Sequence, residues 1–356
     1  MTGERTISFG HSRQVLVKSS RDPISDAFAH AAAYSRIFII TDEHVAKLHG
    51  PTLLEAFVKN GRKAQLITFT PGEESKTLHT LTRLAGELLD LGAGKDDVII
   101  GFGGGVTTDL AGFTASLIKR GIPWLAIPTT FLGAVDAAIG GKTGVNTAHG
   151  KNLLGTFFPP FATIISTHFF STLSDADLRN GWVECIKAAL IGNPELFAAI
   201  EAHHSGGDSA SDSLQVSHAI LWDGARVKMD LIRADPMEQG VRAHLNLGHT
   251  VGHALEMASR SALTHGQAVA MGMVKECAMA ARMGLLETSL VTRVESLLAR
   301  VGLQTACSIP LEELMGFMAQ DKKNRGNKVG FSLPRGMGIM GDTVFLTHQE
   351  IVQWWA

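Results

Sequence analysis

Three histidines lie close together in the second half of the chain. His249 and His253 stand in Leu-Asn-Leu-Gly-His-Thr-Val-Gly-His-Ala-Leu-Glu, and His265 follows sixteen residues after the first of them. On a helix, an i, i+4 pair projects from one face, and neutral imidazole is a frequent metal ligand. Such a pair with a remote third donor is typical of zinc sites, although histidines also fall together by chance. The spacing raises a metal site as a hypothesis.

A glycine-rich segment lies well upstream of the histidines. Residues 102–113 read Phe-Gly-Gly-Gly-Val-Thr-Thr-Asp-Leu-Ala-Gly-Phe, after a predicted strand and at the start of a predicted helix. Glycines let the backbone approach a pyrophosphate, and the first N–H groups of a helix attract anions. The segment lacks the GxGxxG pattern, so a tight strand-to-helix turn is the competing interpretation. A nucleotide site and a metal site together indicate redox chemistry on an alcohol.

A polar run follows in residues 129–152. It contains Thr129-Thr130, Asp136, the segment 140–146 (Gly-Gly-Lys-Thr-Gly-Val-Asn) and Gly150-Lys151-Asn152. Lysines and amides on a glycine-rich loop suit a phosphate or polyol ligand. A nucleotide-triphosphate loop is rejected, because Ala138 stands where the GxxxxGK pattern requires its first glycine.

Glu184 and Lys187 stand i, i+3 on a predicted helix. The neighbouring Trp182, Val183 and Ile186 are apolar, so this face is expected to be covered. A covered carboxylate needs a cationic partner, whereas an exposed pair would be an ordinary surface ion pair. We expect Glu184 to be the oxygen donor that completes a Glu/His/His zinc site with one open position.

A row of polar residues leads into the histidines. Their spacing predicts that the last four share one helical face with donors for anions and hydroxyls. A solvated charged face is the competing interpretation. The row consists of Lys228, Glu238, Arg242, Asn246, His249 and His253.

The elements that must position these residues differ between the two halves of the chain. Strands are predicted over 36–41, 64–69, 97–102 and 124–128 and alternate with helical segments such as 77–91, which favours a parallel sheet with crossover helices. Beyond residue 160 the apolar spacing predicts helices over 175–202, 213–235, 243–260, 265–285 and 288–301. A small β-element is expected within 331–346. We therefore predict an α/β nucleotide-binding domain with a parallel sheet over residues 1–170. An all-α domain over residues 171–356 would bind metal and substrate.

Composition excludes several classes of partner. The 356 residues carry a net charge of −2, so neither nucleic acid nor an anionic membrane is expected as a partner. No stretch of 18 uncharged residues suited to spanning a bilayer is expected, and the three cysteines lack CxxC spacing. We expect a cytoplasmic protein without a disulfide framework.

Taken together, the motifs resemble the 3-dehydroquinate synthase family of sugar-phosphate cyclases. The resemblance spans roughly residues 36–340 in one order. It includes Pro-Gly-Glu73-Glu-Ser-Lys76, Gly-Gly-Gly-Val-x-x-Asp109, Lys119-Arg120-Gly, Pro-Thr129-Thr130, Val-Asp136, Gly-Gly-Lys142-Thr-Gly-Val-Asn, Gly-Lys151-Asn152, Glu184-x-x-Lys187, Asn246-x-Gly-His249-Thr-x-Gly-His253-Ala-x-Glu, His265-Gly and Asp321-Lys322-Lys323.

The resemblance implies three groups of site residues. A divalent metal, usually zinc (or cobalt), is expected on Glu184, His249 and His265, so that His253 becomes a substrate and proton-transfer residue. NAD is expected at Asp42, Glu43, His44, Glu73, Lys76, Gly104, Gly105, Val106, Asp109, Thr129, Thr130, Lys151, Phe169 and Thr172. Substrate is expected at Arg120, Asp136, Lys142, Asn152, Asn180, Lys187, Lys228, Arg242, Asn246, His253 and Lys322 or Lys323. Of these, Lys142, Asp136, Lys187 and His253 are expected to be catalytic, together with Glu238 as a proton acceptor.

The implied reaction is a carbon–oxygen lyase step of the shikimate pathway to aromatic amino acids. 3-Deoxy-D-arabino-heptulosonate 7-phosphate would become 3-dehydroquinate plus phosphate through transient oxidation by NAD, phosphate elimination, re-reduction and intramolecular aldol closure. Arg120 would reach the phosphate of a neighbouring subunit, which implies a homodimer.

Some positions depart from the family pattern. Gln267 replaces an acid, which removes an expected charge beside His265, and Thr108 replaces a glycine beside the pyrophosphate. A related cyclase acting on an amino analogue or on sedoheptulose 7-phosphate is therefore an alternative. A second is a metal-dependent alcohol dehydrogenase of the glycerol dehydrogenase type, and a third is a non-catalytic nucleotide-binding paralogue.

Overall fold

The computed structural model describes residues 3–9, 13–205, 212–260, 262–319 and 324–355. The chain forms two compact units. The first comprises Met1–Leu173 with Ser217–Trp222, and the second comprises Ser174–Val216 with Asp223–Ala356. Among the described residues, no helix is both long enough and apolar enough to cross a bilayer.

In the part of the chain that the structure describes, the first unit contains nine strands and four complete α-helices. The strands are β1 (Glu4–Phe9), β2 (Arg13–Ser19), β3 (Arg36–Asp42), β4 (Lys63–Phe69), β5 (Val98–Gly103), β6 (Trp124–Pro128), β7 (Lys142–Thr147), β8 (Gly150–Phe157) and β9 (Ala162–Ile165). The helices are α1 (Pro23–Ala31), α2 (Glu43–Val58), α3 (Leu78–Asp90) and α4 (Gly105–Leu117).

A seven-stranded sheet forms the centre of the first unit. Its order is β1-β2-β9-β6-β5-β3-β4, and every neighbouring pair is parallel except the edge pair β1–β2. Strands covered on both faces by crossover helices read as continuous apolar runs, which is why β3, β5 and β6 were visible in the sequence. Alternate residues of β3 enter opposite layers of the core: Phe38 packs with the α3–α4 side and Ile39 with the α2 side.

Two hairpins of the first unit were not predicted. β1 and β2 pair antiparallel at the sheet edge. The polar run expected as a loop is partly a second antiparallel hairpin, in which β7 pairs with β8. Glycines allow this pairing because the strands approach closely: a Cβ on Gly155 would lie 2.0 Å from the Thr143 carbonyl oxygen. The expectation of a flexible loop over 140–152 was therefore wrong.

The second unit is mainly helical, with short strands near its end. The helices are α5 (Asp175–Gly192), α6 (Pro194–His203), α7 (His218–Ala234, which belongs to this unit from Asp223 onward), α8 (His249–Ala258), α9 (His265–Arg282), α10 (Thr288–Arg300), α11 (Leu311–Met318) and α12 (His348–Trp355). The strands β10 (Val329–Phe331), β11 (Pro334–Gly336), β12 (Ile339–Met340) and β13 (Val344–Leu346) pair as β10–β13 and β11–β12. The parallel α/β unit, the helical unit and the small β-element are thus confirmed.

Two predicted helices are each divided in the structure. The helix expected over 175–202 breaks where the Asn193 side chain accepts a hydrogen bond from Leu196 N at 3.0 Å and Pro194 begins α6. The helix expected over 243–260 is a 3₁₀ helix, Val241–Asn246, followed by Gly248 at φ +78° and then α8.

Candidate active site

The second unit brings a carboxylate and two imidazoles together. Glu184 lies within α5, whereas His249 and His265 are the first residues of α8 and α9. One ligand atom from each residue lies within 4.8 Å of the others. Glu184 Oε1 is 3.7 Å from His249 Nε2 and 3.4 Å from His265 Nε2. The arrangement is that of three protein ligands around a small cation.

Neighbouring groups fix the orientation of both imidazoles. His249 Nδ1 lies 3.1 Å from the Leu247 carbonyl oxygen, and His265 Nδ1 lies 2.6 Å from Glu256 Oε1. Burial lowers the pKa of His265, but Glu184 and Glu256 outweigh that effect and raise it to about 10, so without a metal its Nε2–H faces Glu184. A bound metal would replace that proton, with Nδ1–H of each ring still donating outward and Nε2 as the ligand atom. One carboxylate and two such imidazoles are a donor set that zinc and cobalt accept, with a position left for substrate.

The charges around Glu184 support a ligand role. Burial alone would raise the pKa of this carboxyl, but the Lys187 ammonium and His265 outweigh that effect and lower it to about 2. Lys187 forms an ion pair with Glu184, and both side chains are buried. Burial and then Lys187 hold the pKa of His249 well below its usual range, so its imidazole is neutral and able to ligate.

His253 stands one helical turn beyond His249 but outside the group of ligand atoms. Its ring centroid is 5.2 Å from that of His249 and 6.4 Å from that of His265. The opening interpretation, in which the i, i+4 pair binds the metal, does not match this geometry, because His265 joins His249 and Glu184 instead. His253 is exposed, which fits a residue that meets substrate.

In the first unit, the glycine-rich segment forms a cradle at the end of β5. Gly104 is the N-cap of α4 and has no side-chain cap, so the first N–H groups of the helix remain available to an anion. Side chains would not fit here: a Cβ on Gly103 would lie 2.4 Å from Thr107 Oγ1, and one on Gly104 would lie 3.1 Å from Thr130 Cγ2. This cradle fits the pyrophosphate of a dinucleotide.

A network of polar side chains stands in the same unit. Lys76 Nζ lies 2.5 Å from Asp109 Oδ2 and 2.5 Å from Asn152 Oδ1. Asn146 Nδ2 donates to Glu73 Oε1 at 2.7 Å, and the Asn146 carbonyl side-chain oxygen accepts from Asn152 N at 3.0 Å. The network thus joins the β7–β8 hairpin to the turn before α3 and to α4. The sequence analysis assigned the other four residues to the nucleotide or the substrate but gave Asn146 no role. The feature that could have identified Asn146 is its position at the end of the glycine-rich segment 140–146.

Comparison with known proteins agrees with this geometry. Residues 66–180 match the model of the 3-dehydroquinate synthase N-terminal domain, and residues 181–324 match that of the C-terminal domain. The 3-dehydroquinate synthase of Agrobacterium fabrum is 40% identical over 85% of this chain and 82% of its own length. That of Brucella anthropi is 37% identical over 93% and 90%.

The chain belongs to the 3-dehydroquinate synthase family.

Solved structures of related cyclases have the same fold. ValA, the 2-epi-5-epi-valiolone synthase from Streptomyces hygroscopicus subsp. jinggangensis 5008 with NAD⁺ and Zn²⁺ bound, matches with a TM-score of 0.86 at 29% identity, over 97% of this chain and 96% of that one. A 2-deoxy-scyllo-inosose synthase complexed with carbaglucose-6-phosphate, NAD⁺ and Co²⁺ matches with a TM-score of 0.85 at 25% identity, over 99% and 98%. Glycerol dehydrogenase from Schizosaccharomyces pombe, at 17% identity and a TM-score of 0.63 over 90% of this chain and 85% of that one, shares the fold alone.

The departures from the family pattern have local explanations. Gln267 does not face His265: its Oε1 accepts from Thr264 N at 2.9 Å in a capping box at the start of α9. Glu256, the acidic residue of α8, supplies the carboxylate beside His265, so the expected loss of charge was wrong. Thr108 is buried and its hydroxyl donates to the Gly105 carbonyl at 3.1 Å, within the helix.

The expected stripe of donors does not run along one helix, because Gly248 interrupts it. Arg242 is buried on the 3₁₀ helix, with its backbone N donating to Asp235 Oδ2 at 3.1 Å and Nη1 to the Pro236 carbonyl at 2.6 Å. Asn246 Nδ2 donates to the Ala243 carbonyl at 3.1 Å. Lys228 is buried on α7, and Glu238 has a φ of +60°. The prediction of one shared face for the last four residues was therefore wrong.

Other substrate candidates occupy several elements. Asn180 Oδ1 accepts from Thr264 Oγ1 at 2.9 Å and from Gly266 N at 3.1 Å, which leaves its amide nitrogen directed elsewhere. Asp136 lies on a π-helical turn, Gly133–Ala137, and Lys142 begins β7. Arg120 is exposed. Lys322 and Lys323 lie outside the described residues.

The remaining nucleotide candidates all lie in the first unit. Asp42 caps α2 by accepting from His44 N at 3.0 Å and lies 3.5 Å from Thr107 Oγ1, and Glu43 is the first residue of that helix. Thr129 N donates to the Gly103 carbonyl at 2.9 Å, and Thr130 Oγ1 accepts from Gly133 N at 3.0 Å. Gly105 and Val106 lie in the first turn of α4, and Lys151 is exposed on β8. Phe169 is buried, and Thr172 Oγ1 is 3.0 Å from His49 Nε2.

Proposed function

We propose that the protein is a 3-dehydroquinate synthase, a lyase that converts 3-deoxy-D-arabino-heptulosonate 7-phosphate into 3-dehydroquinate and phosphate. The observation that carries the proposal is the convergence of Glu184, His249 and His265, each held by the contacts described above. It occurs in a chain 40% identical to a 3-dehydroquinate synthase. NAD and the phosphorylated sugar are cytoplasmic metabolites, so we place the reaction in the cytoplasm.

The proposal includes a divalent metal and NAD as cofactors. When bound, NAD accepts and returns a hydride, and the metal acidifies a substrate hydroxyl. Glu184, His249 and His265 would hold the metal. Gly104, Gly105 and Val106 would meet the pyrophosphate, while Glu73, Lys76 and Asp109 would hold the rest of the nucleotide. The related cyclase structures, with NAD⁺ and either Zn²⁺ or Co²⁺ bound, support this assignment.

The chain's own cations would orient the substrate. Lys187 presents a buried ammonium beside Glu184, and Lys228 and Arg242 are also buried. An ammonium and a guanidinium both suit a carboxylate, and the guanidinium can bind it with two hydrogen bonds. We assign Lys228 and Arg242 to the substrate carboxylate. Lys142 and Asp136 would act on the sugar from the first unit, and His253 and Glu238 would transfer protons.

The alternatives have weaker support. The 2-epi-5-epi-valiolone and 2-deoxy-scyllo-inosose synthases are 29% and 25% identical, whereas the named 3-dehydroquinate synthases reach 40%. A glycerol dehydrogenase matches in fold at 17% identity. A simple alcohol dehydrogenase also has no use for the lysines that we assign to phosphate and carboxylate.

We propose further that two copies form a homodimer. β8 is the outer strand of a two-stranded sheet and exposes Leu153, Leu154 and Phe157, and Leu117 is 50% exposed at the end of α4. These surfaces adjoin, since a Cβ on Gly121 would lie 3.2 Å from the Phe158 ring. An exposed apolar strand edge is a surface for pairing with another chain. Arg120, between Leu117 and Gly121 in the chain, is exposed and would reach the partner's substrate phosphate.

The test is a phosphate-release assay with 3-deoxy-D-arabino-heptulosonate 7-phosphate, Co²⁺- or Zn²⁺-loaded protein and trace NAD. NADH absorbance is followed in the same cuvette. We expect phosphate far in excess of the NAD present, without net NADH. Stoichiometric NADH would identify a dehydrogenase instead. Turnover only with an amino analogue or with sedoheptulose 7-phosphate would assign a related cyclase.

A further inference from the structure

The first turn of α8 is held by a buried carboxylate from α9. Glu276 is fully buried, its Oε2 accepts from Gly248 N at 2.7 Å, and its Oε1 accepts from Val251 N at 3.1 Å. Gly248, the N-cap residue of α8, has no side chain to perform this task. A carboxylate at a helix N-terminus satisfies N–H groups that the helix leaves open and complements its dipole.

The two hydrogen bonds that Glu276 accepts lie on either side of the metal-ligand candidate His249 along the chain. They fix the backbone one residue before it and two residues after it, while His249 Nδ1 contacts the Leu247 carbonyl. The direction of the ring is thus set by the segment that Glu276 holds.

Close backbone packing places the same segment against α9. A Cβ on Gly272 would lie 2.1 Å from the Gly248 carbonyl oxygen, and one on Gly248 would lie 3.0 Å from the Val269 carbonyl oxygen. Glu276 stands one turn beyond Gly272 on the same helix, and α9 also supplies the ligand candidate His265. One helix therefore carries one ligand in its first residue and positions another through Glu276.

We propose that Glu276 is a positioning residue of the metal centre, which sets the place of His249 Nε2 relative to Glu184 and His265. This inference rests on the proposed function, because it assumes that the three residues bind a divalent metal. Residues that orient a ligand typically alter metal affinity by about 10–100-fold when they are removed.

The experiment uses the full-length protein, purified without metal and titrated with Co²⁺, whose visible absorption reports the ligand geometry. Glu276→Gln keeps the shape but loses the charge and one acceptor, and Glu276→Asp keeps the charge on a shorter stem. For Glu276→Gln we expect the affinity for Co²⁺ to fall by about tenfold or more, with an altered absorption spectrum. NAD affinity, which belongs to the first unit, should be unchanged, and Glu276→Asp should recover part of the loss.

The matched control is Asp97→Asn. Asp97 is another buried carboxylate, which accepts from Gly94 N at 2.7 Å and pairs with Arg36 in the first unit. Its substitution should lower the melting temperature without moving the Co²⁺ spectrum.

Three outcomes would count against the inference. A folded Glu276→Gln protein with wild-type Co²⁺ affinity and spectrum would overturn it and leave the proposed function intact. If neither Glu276 variant folds, the carboxylate supports the whole unit rather than one ligand, which also overturns it. Failure of the wild-type protein to bind Co²⁺ would instead overturn the proposed metal centre, and this inference with it.

Discussion

At the scale of the residue, the nitrogen that each histidine presents is decided by a neighbour rather than by the histidine. Glu256 takes the Nδ1–H of His265, and the Leu247 carbonyl takes that of His249. Both contacts leave Nε2 as the ligand atom. The choice of partner differs: a carboxylate makes the imidazole more electron-rich, whereas a carbonyl mainly orients it. The two imidazoles of the proposed metal centre are therefore not equivalent.

His204 gives a residue-scale prediction about acid stability. The ring is buried against Trp182, at 4.6 Å between centroids, and burial together with His203 and Arg300 lowers its pKa to about 4. The unfolded chain has a histidine pKa near 6.5, so it binds the proton first as the pH falls. The contribution of His204 to stability is therefore complete above pH 6.5 and is lost between about pH 6.5 and 4, by up to about 3 kcal/mol.

His204→Phe removes the titrating group and keeps a ring against Trp182. We expect its free energy of unfolding, measured by urea denaturation at several pH values, to fall less steeply than that of the wild type below pH 6.5. Comparison of the two proteins cancels the contribution of the other histidines. Parallel curves for wild type and variant across this interval would show the prediction to be wrong.

The structure brings together three residues that the sequence singled out by their chemistry, and their role as ligands stays a prediction. A glutamate and histidines amid apolar sequence pointed to Glu184, His249 and, through the family, His265. Glu256 was not identified, although it is the acidic residue of α8, because its role depends on a contact with α9 that has no fixed spacing. Gln267 was misjudged for a different reason: its side chain is used locally, in a capping box with Thr264.

At the scale of the element, both histidines proposed as ligands, His249 and His265, begin a helix. The positive end of a helix dipole favours the neutral form of a nearby imidazole. Burial acts in the same direction on His249, whereas Glu184 and Glu256 raise the pKa of His265, so a metal would have to displace a proton there. Neither helix end relies on its own side chains alone. Asn180 of α5 accepts from Gly266 N at the start of α9, and Glu276 of α9 accepts from Gly248 N at the start of α8. A side chain of α5 thus holds the N-terminus of α9, and a side chain of α9 holds the N-terminus of α8.

Gly248→Ala tests how closely α8 must approach α9. Gly248 has φ +78° and would place a Cβ 3.0 Å from Met273 N. The positive φ alone costs about 1–2 kcal/mol for a residue with a side chain, and overpacking against backbone adds about 1–3 kcal/mol. We expect a loss of stability and weaker Co²⁺ binding, measured by denaturation and titration.

Gly284→Ala is the matched control for this change. Gly284 has φ +72°, and nothing lies within 4 Å of a Cβ built there. The control should show the backbone strain without the contact and should bind Co²⁺ as the wild type does. Equal effects of the two substitutions on stability and on metal binding would contradict the assigned role of the α8–α9 approach.

Element boundaries were predictable where apolar periodicity was unbroken. The strand over 124–128 and the helices starting at 265 and 288 follow from it. Periodicity continued across residue 193 and across 247–248, where a capping asparagine with proline and a left-handed glycine divide the helices. The β7–β8 hairpin was hidden because its sequence is polar and rich in glycine, and its pairing depends on close backbone approach rather than on apolar alternation.

At the scale of the whole molecule, the two units hold different parts of the proposed chemistry. The nucleotide cradle and Arg120 belong to the first unit, while Glu184, His249 and His265 belong to the second. A cyclase that uses Arg120 from a neighbouring subunit would be inactive as a monomer, even with metal and NAD bound. The homodimer is therefore part of the proposed function and can be tested through the active site itself.

Complementation between two inactive variants provides that test. Arg120→Ala and Glu184→Gln are co-expressed with different tags, and the heterodimer is purified. If Arg120 acts across the interface, one site of the heterodimer combines an intact Glu184 with an intact partner arginine, and phosphate release should return to about half of the wild-type rate. If Arg120 serves its own subunit, both sites are defective and the heterodimer stays as inactive as either homodimer. Lys119→Ala, an exposed neighbouring cation, is the control and should remain active. Light scattering that finds only monomers would exclude the arrangement altogether.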